Sequence, residues 1–391
     1  MRRAIVGLLV GVLGLLPSAG SQAIRAVPAS KIKPALGLHV HGRHLVNSRG
    51  QRVRLLGFNN SGAEYACIEG WGIFDIGDNV NTKVPTSDVV AMTRWHGVNA
   101  VRIQLNEQCW LGIGGVKPAY GGVRYQHTIE AYVRTLTRHG LAVILNLHLS
   151  APGDEKSYNQ EPMPDAHSIP FWHQVAAAFH DNKAVLFDLF NEPWPDNQAH
   201  TRAAWRCWRD GGCRQQSANG GSTYTAIGMD RLIHAVRSAG AHNVVIAGGV
   251  NYAANLGRWL AYKPHDPRHD LAASVHLYSF NGCTRPRCFT KKLARIARRV
   301  PLYIGEFGPD LTVGYSAALD SNCRSSYVGK TGFDTGVVSW ARSHGASWTA
   351  WTWNAWHDCW ALITNRAGHP TTPYGSRVRA ALLADRQRHR A

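Results

Sequence analysis

The sequence predicts an α/β protein folded as a (β/α)8 barrel of the TIM type. Short runs rich in β-branched and aromatic residues alternate with amphipathic stretches over most of the 391 residues. That alternation indicates a parallel sheet with helical crossovers. No glycine-rich GxGxxG turn follows the first run, which disfavours an open dinucleotide-binding sheet. A chain of this length can be filled by a single barrel.

Eight candidate strands follow one another along the chain. In order they are 53–58, 98–104, 141–148, 184–190, 243–247, 272–278, 301–305 and 346–353. Residues 128–138 and 225–239 have the spacing of apolar residues that is typical of amphipathic helices. No repeat or linker divides the chain, so we expect one domain over residues 38–388.

The amino terminus has the order of a secretory signal. Arg2 and Arg3 precede an apolar stretch from Ala4 to Leu16, and small residues follow as far as Ala23. We therefore expect a signal peptide over 1–23, a flexible leader over 24–37, and a secreted protein that has no membrane anchor after cleavage. The apolar stretch is short for a bilayer span.

Composition is strongly basic, with 43 Lys and Arg against 25 Asp and Glu. Such an excess suits anionic partners in general. In the densest basic run, residues 291–299, the apolar Leu293 and Ile296 recur at helical spacing, as does Val300 just beyond it. This spacing indicates a solvated helix face. We expect no nucleic-acid partner and a monomeric protein.

The eight cysteines suit an oxidising compartment, where disulfides persist. Two pairs are close in sequence and predict local bridges: Cys207 with Cys213, and Cys283 with Cys288. The barrel order suggests that the other four pair between loops of neighbouring strands, as Cys67 with Cys109 and Cys323 with Cys359. A zinc site is disfavoured because no CxxC or paired-histidine spacing accompanies them. The prediction is four disulfides, no metal and no cofactor.

The strand predicted at 184–190 ends abruptly at Asn191-Glu192-Pro193. A lone glutamate there would be read as the start of a solvated loop. A barrel, however, collects the carboxyl ends of its strands at one mouth. The seventh strand ends at Gly305-Glu306-Phe307-Gly308, so Glu306 is a second carboxylate at the same mouth.

Other polar and aromatic residues end the predicted strands beside these two glutamates. They are Arg102, His148, Asn191, His276, Tyr278 and Trp351. Each alone has a structural explanation, but together at one mouth they suit cleavage of a glycosidic bond. That reaction needs one protonated and one ionised carboxyl group. An arginine beside Glu306 would keep it ionised, Tyr278 would orient it, and Trp351 would stack on a sugar ring.

This ordered set resembles glycoside hydrolase family 5, the cellulase-type family. The resemblance covers roughly residues 38–385 and includes NEP after the fourth strand and GEFG after the seventh. It implies a retaining mechanism in which Glu192 is the acid/base and Glu306 the nucleophile. The six other residues of the set would then support the subsite that holds the cleaved sugar.

The loops depart from the pattern common among cellulase-type members. The last strand is followed by NAWHDCWALI, and the first loop is long and aromatic. Possible outer subsite residues are Trp71, Glu107, Trp110, Trp194, Trp356 and Trp360. About half of these tryptophans are expected to pack under loops, and Glu107 is equally suited to contact a sugar or to anchor a loop.

The sequence therefore predicts a secreted enzyme that acts on a polysaccharide or oligosaccharide, with an endo-β-1,4-glucanase first among the candidates. Exo action, or specificity for mannan, xylan or a furanoside, uses the same chemistry. A non-catalytic carbohydrate-binding protein is a different class, but binding alone does not require two opposed carboxylates. A metal hydrolase is weaker still, since His148 and His276 lack a complete ligand set.

Overall fold

Eight parallel strands close into a barrel in the computed structural model. The structure describes residues 37–76, 82–198, 200–311, 316, 320–321, 323–329 and 331–388. The predicted signal peptide, and the leader except for its last residue, lie outside the described residues. The strands are β1 (His39–His41), β2 (His44–Val46), β3 (Arg52–Val53), β4 (Leu56–Asn60), β5 (Ala100–Asn106), β6 (Ala142–Leu149), β7 (Val185–Asp188), β8 (Gly211–Gln216), β9 (Thr223–Ile227), β10 (Val245–Gly248), β11 (Leu271–Leu277), β12 (Leu302–Phe307) and β13 (Ser347–Ala350).

The barrel order is β4-β5-β6-β7-β10-β11-β12-β13, and β13 pairs with β4 to close it. Each predicted strand corresponds to one of these eight, with ends that differ by a few residues, so the predicted (β/α)8 fold is confirmed. The remaining strands form two small antiparallel sheets, β1-β2-β3 and β8-β9.

Helices occupy the crossovers between the strands. They are α1 (Ala66–Glu69), α2 (Thr86–Thr93), α3 (Glu107–Leu111), α4 (Val123–Arg138), α5 (Ser168–Phe179), α6 (Arg202–Asp210), α7 (Met229–Ser238), α8 (Pro286–Ala297), α9 (Phe333–His344) and α10 (Tyr374–Arg388). Within the described ranges, none of the helices combines the length and apolarity needed to cross a bilayer.

Two predicted helices differ from those in the structure. The helix predicted at 128–138 begins earlier, at Val123. The helix predicted at 225–239 is wrong at its start, because Thr223–Ile227 forms strand β9 and the helix begins at Met229. Residues 223–227 alternate between exposed and buried positions against β8, and Gly228 separates the strand from the helix. The apolar spacing of the helix was correct, but it extended through a two-residue period that belongs to the hairpin.

Alternation along the strands separates two buried layers. On β6, Ala142 and Ile144 belong to an inner cluster, whereas Val143 and Leu145 belong to the larger cluster under the helices. Leu45 of β2 joins the inner cluster, so the small β1-β2-β3 sheet covers the amino end of the barrel. The interior is therefore filled with apolar side chains at this end, and polar side chains occupy the carboxyl end.

All four predicted disulfides are present in the structure. They join Cys67 to Cys109, Cys207 to Cys213, Cys283 to Cys288, and Cys323 to Cys359. The first links α1 to α3, which follow the neighbouring strands β4 and β5. The basic run at 291–299 also behaves as predicted. Leu293 and Ile296 are buried beneath α8, whereas Lys291, Lys292 and Arg295 are exposed.

Candidate active site

A buried arginine lies at the centre of the polar end of the barrel. The side chain of Arg102 has no solvent exposure, because residues 100, 102 and 104 of β5 point inward. Its guanidinium donates to four acceptors: Asp188 Oδ2 at 2.9 Å, Asn59 Oδ1 at 3.0 Å, Glu306 Oε1 at 2.8 Å and Asn191 Oδ1 at 2.8 Å. These acceptors come from β4, β7, the segment after β7, and β12. One side chain thus connects three strands and one loop.

Glu306 is buried and held by donors on both oxygens. Arg102 binds Oε1, and the Tyr278 hydroxyl donates to Oε2 at 2.6 Å. Burial by itself raises the pKa of Glu306, but the charges of His276 and Arg102 and the Tyr278 hydrogen bond outweigh it and lower that pKa to about 2. Glu306 is therefore an oriented carboxylate anion over the whole physiological pH range.

Glu192 has the opposite environment. Burial raises its pKa, the nearby charge of Glu306 raises it further, and the hydrogen bond from His276 opposes these effects only in part. His276 Nδ1 lies 2.7 Å from Glu192 Oε1 and 3.6 Å from Glu306 Oε2. The Glu192 side chain remains 21% exposed, so it can meet a molecule in the groove. The structure thus brings together one carboxyl group that favours the proton and one that does not.

A closed ring of hydrogen bonds surrounds these groups. Asn146 Nδ2 donates to Asp188 Oδ2 at 3.1 Å, His148 Nδ1 lies 3.1 Å from Asn146 Oδ1, and Asn191 Nδ2 lies 3.4 Å from His148 Nε2. Arg102 closes the ring through Asp188 and Asn191. Burial lowers the pKa of His148 to about 3, so its ring is neutral. The network assigns its proton to Nδ1, which leaves Nε2 to accept from Asn191.

A break in strand register turns Glu306 inward. Val275 of β11 pairs with Ile304, but His276 pairs with Glu306, so Gly305 is the extra residue of a β-bulge. Strict alternation from the inward Tyr303 would have turned Glu306 toward the helices. A Cβ on Gly305 would lie 2.8 Å from His276 Nε2. Glycine is required here because the histidine that contacts both glutamates occupies that space.

The second glycine of the GEFG segment makes room for aromatic side chains. A Cβ on Gly308 would lie 2.2 Å from Trp360 Cζ3 and 2.9 Å from Tyr278 Cδ1. The ring centroids of Tyr278 and Trp360 are 5.2 Å apart in an edge-to-face contact. Gly308 thus allows Trp360 to pack against the tyrosine that orients Glu306.

A groove with a volume of about 560 Å³ runs over the two glutamates. Three of the predicted tryptophans line it, namely Trp351, Trp356 and Trp360. Trp351 stacks on His148 with ring centroids 5.7 Å apart, and Trp356 donates to Asp75 Oδ2 at 2.8 Å. Flat apolar faces beside carboxylates suit sugar rings, whose C–H faces are apolar and whose hydroxyls are not.

Two predicted subsite residues do not reach the groove. Trp110 is 1% exposed, and its ring packs against Tyr125 and Phe171, so its assignment to a subsite was wrong. Glu107 has no solvent exposure and accepts from Ser168 Oγ at 2.5 Å, so of its two predicted roles only loop anchoring is compatible with its position. Both residues belong to α3, whose inner face is covered by α4 and α5.

The other two outer candidates lie near the rim. Trp194 stacks on Tyr252, a groove residue, with centroids 5.5 Å apart. Trp71 is 53% exposed and contacts Tyr65 edge-to-face at 5.8 Å. Tyr65 in turn lies 6.4 Å from Trp356, so Trp71 stands at the margin of the same aromatic surface.

Sequence reasoning missed several members of the site. Asn59, Asn146, Asp188 and Gln160 all hydrogen-bond to Arg102 or to its ring of partners. A signal was present for three of them, since a polar residue in the middle of an otherwise apolar strand needs a buried partner. Gln160 lies in a long loop, where polar residues are ordinary, so no comparable signal was available.

Glu192, His276 and Glu306 also have ligand atoms within 4.8 Å of one another, a spacing that a metal ion could use. The guanidinium bound directly to Glu306 already supplies a positive charge there, which disfavours a second cation. The arrangement fits proton transfer and nucleophilic attack better than metal binding.

Comparisons with known proteins agree with this fold. The model of a family described as cellulase (glycosyl hydrolase family 5) matches residues 46–356. A β-glucanase from Saccharophagus degradans is 18% identical, with 91% of this chain and 96% of that chain covered and a TM-score of 0.64. A hyperthermophilic endocellulase from the archaeon Pyrococcus horikoshii is 16% identical, with 90% and 100% covered and a TM-score of 0.62. At these identities the solved structures support the fold, while the family match spans both glutamates.

We expect Arg102→Met to destabilise the protein by about 3–5 kcal/mol, because it leaves buried Asp188 and Glu306 without their counter-charge. The matched control is Arg134→Met on the surface of α4. Arg134 is 54% exposed and lies 3.4 Å from Glu130, and such exposed pairs contribute about 0.3–0.5 kcal/mol. Urea unfolding of both variants measures the difference. Equal losses would contradict the central role of the buried charge.

Proposed function

The chain belongs to glycosyl hydrolase family 5 and hydrolyses glycosidic bonds, and we propose that it is a secreted, retaining endo-β-1,4-glucanase. In this proposal Glu192 is the acid/base and Glu306 the nucleophile. One observation carries the assignment: of two neighbouring carboxyl groups, Glu306 is held by Arg102 and Tyr278 and has a lowered pKa, whereas Glu192 reaches the groove and has a raised pKa.

The first half-reaction uses the two protonation states together. Glu192 gives its proton to the glycosidic oxygen as the bond to the anomeric carbon breaks, and a Glu306 oxygen forms a bond to that carbon. Arg102 and Tyr278 hold Glu306 in one orientation, which a nucleophile requires. Asn191, which is oriented by Arg102 and by Gln160 at 3.0 Å, is a candidate donor to a sugar hydroxyl beside the reacting carbon.

The second half-reaction follows from the coupling between the two carboxyl groups. When Glu306 becomes an ester its negative charge disappears, so the repulsion that helped to raise the pKa of Glu192 is removed. Glu192, now ionised, takes a proton from a water molecule as that water attacks the anomeric carbon. Glu306 leaves as a carboxylate, and both groups return to their starting states.

The separation of the two glutamates supports retention of configuration. One carboxyl oxygen of Glu192 lies within 4.8 Å of one carboxyl oxygen of Glu306. Retaining enzymes hold their carboxyl groups roughly 5–5.5 Å apart, whereas inverting enzymes need about 6.5–9.5 Å to admit a water molecule.

The aromatic groove and the neighbours support a β-glucan as substrate. The Saccharophagus degradans β-glucanase and the Pyrococcus horikoshii endocellulase have both been crystallised with cellotetraose. In this chain Trp351, Trp356 and Trp360 offer several stacking faces along one groove, as an extended chain of glucose units requires. The four disulfides and the signal-like amino terminus support export.

A substrate panel tests the proposed specificity. We expect hydrolysis of soluble cellulose derivatives and mixed-linkage β-glucan to exceed hydrolysis of mannan, xylan and aryl furanosides, with viscosity falling faster than reducing ends appear. The variant Glu306→Gln, purified in the same way, controls for contaminating enzymes. Preferential cleavage of mannan, xylan or a furanoside would refute the glucanase assignment while leaving the glycosidase chemistry in place.

The roles of the glutamates can be separated by leaving group. Glu306→Gln should abolish turnover of every substrate, because no nucleophile remains. Glu192→Gln should cost about 10²–10⁴-fold on polysaccharide, and less in the first step on aryl glycosides whose leaving groups need little protonation. Steady-state and burst kinetics on both substrate types measure this. Equal losses in the bond-cleaving step would contradict the acid/base assignment.

Retention is tested by the anomeric signal of the first product. We expect proton NMR during early hydrolysis of a β-linked substrate to show the β anomer first, followed by mutarotation. A product that appears first as the α anomer would mean that one glutamate activates a water molecule directly and that no glycosyl-enzyme forms.

The pH profile tests how Glu306 is kept ionised. Glu306 acts as an anion, so activity falls as pH drops through its pKa; Glu192 acts as an acid, so activity falls as pH rises through its own. Tyr278→Phe removes one donor to Glu306 and should move the acid limb of kcat/KM upward by about one pH unit. A profile in which only the alkaline limb moves would be inconsistent with the assignment.

A further inference from the structure

A second cluster of three ionisable side chains, two of them buried, lies outside the catalytic groove. It consists of Glu107 at the start of α3 and of Asp165 and His167 just before α5. Glu107 and Asp165 are 0% and 1% exposed, and one ligand atom from each of the three side chains lies within 4.8 Å of the others. The cluster lies between the loops that follow β5 and β6, at the same end of the barrel as the active site.

Each side chain of the cluster has a buried atom without a hydrogen-bond partner. These atoms are Glu107 Oε1, Asp165 Oδ2 and His167 Nδ1. The other carboxylate oxygens are satisfied: Glu107 Oε2 accepts from Ser168 Oγ at 2.5 Å, and Asp165 Oδ1 from the His167 backbone N–H at 2.8 Å. Within the described ranges no Lys or Arg forms an ion pair with either carboxylate; the His167 ring alone approaches, at 3.4 Å from Asp165 Oδ1.

Two buried carboxylates with a single neighbouring imidazole lower the stability of the folded protein. A buried charge is normally paired or bound to a metal, because desolvation otherwise opposes it. In an ordinary structural pair the open lone pairs would be met by donors. Here one oxygen of each carboxylate and one ring nitrogen lie within 4.8 Å of one another, and each of the three side chains keeps a buried atom without a hydrogen-bond partner.

We propose that Glu107, Asp165 and His167 form a structural site for a divalent first-row metal ion, with Zn²⁺ as the best match. Zn²⁺ accepts carboxylate oxygens and imidazole nitrogen at about 2.0–2.2 Å, usually with four ligands. The spacing within the cluster is compatible with three ligands around one such ion, and water would supply the fourth. Ca²⁺ and Mg²⁺ prefer all-oxygen sites, so the imidazole disfavours them.

The position of the site suggests what the ion would do. Residues 150–167 form a long connection without helix or strand between β6 and α5. Gln160 in this connection accepts a hydrogen bond from Asn191 in the catalytic centre. An ion bound to Asp165 and His167 on one side and to Glu107 on the other would fasten this connection to α3. No step of hydrolysis passes through it.

A shared proton is the competing account of the same cluster. Burial raises the pKa of both Glu107 and Asp165, so one of them could be protonated and donate to the other. The two accounts differ in one substitution. Glu107→Gln retains a donor for Asp165 and would mimic the protonated pair, but it removes a charged metal ligand.

Metal binding by the full-length protein decides between these accounts. After dialysis against a chelator, we expect the wild type to take up one equivalent of Zn²⁺ with a rise in Tm of several degrees. Asp165→Asn, His167→Ala and Glu107→Gln should each lose that equivalent and the rise in Tm. His167 is partly exposed, so its variant should fold even if a carboxylate variant does not.

The matched control is His180→Ala. His180 also lies beside an aspartate, with Nε2 3.2 Å from Asp181 Oδ2, but both side chains are exposed. This variant should keep the bound equivalent. The proposal is overturned if all four variants and the wild type bind the same amount of Zn²⁺, which would indicate surface histidines. It is also overturned if the Tm of the wild type is unchanged by Zn²⁺ and by chelator while Glu107→Gln is as stable as the wild type. That result is expected for a shared proton.

Discussion

The buried guanidinium of Arg102 is the interaction on which the catalytic end of the barrel depends. A permanent charge without solvent contact must be balanced inside the protein, and Asp188 and Glu306 provide that balance. The planar guanidinium directs its donors along fixed lines, so the groups that accept from it are oriented as well as neutralised. A lysine would offer a point charge but not this geometry. Arg102 therefore fixes the position of Asn191 and, together with His276 and Tyr278, lowers the pKa of Glu306.

The contrast between the two glutamates arises from their different balance of burial and neighbouring charge. Glu306 contacts Arg102 directly and also lies near the charge of His276, whereas at Glu192 burial and the repulsion of Glu306 outweigh the contact with His276. Burial raises the pKa of both carboxyl groups, but at Glu306 the neighbouring charges and hydrogen bond outweigh it, so the pKa of Glu306 is lowered and that of Glu192 is raised. The hydrogen-bond ring through Asn146 and His148 adds rigidity but no net charge, because His148 is neutral. It stiffens the site without disturbing this difference.

The loops at the carboxyl end of the barrel are held together by a disulfide and by hydrogen bonds. The Cys67–Cys109 disulfide links the segments after β4 and β5. In the connection after β6, the carboxyl groups of Glu155 and Glu161 both lie within hydrogen-bond distance of Ser217 Oγ, in the loop between β8 and β9. Glu107 and Asp165 lie on these same segments, after β5 and after β6 respectively. Gln160 in this connection accepts a hydrogen bond from Asn191. The position of the connection therefore affects the orientation of Asn191 at the bottom of the groove.

The sequence alone was sufficient for the order of the barrel strands and for predicting that Glu192 and Glu306 lie at the same mouth. Eight alternating strand–helix units without a GxGxxG turn indicated a closed barrel, and a barrel brings the ends of its strands to one mouth, so residues as distant as Glu192 and Glu306 could be placed together. Two of the cysteine pairs followed from the same strand order, and the other two from their closeness in sequence. The prediction failed at Thr223–Ile227 and at Trp110, because local periodicity does not reveal which neighbour an element packs against.

Only the tertiary structure decided the features that depend on contacts between distant segments. The bulge at Gly305 turns Glu306 inward against the alternation of β12, and its reason, the space taken by His276, lies on another strand. Asp188 and Asn59 became site residues because a guanidinium from β5 reaches them. Glu107 stands next to the active-site strand β5 in sequence but is covered by neighbouring helices. Strand order is set by local pattern, whereas side-chain partners are set by three-dimensional packing, which no local pattern contains.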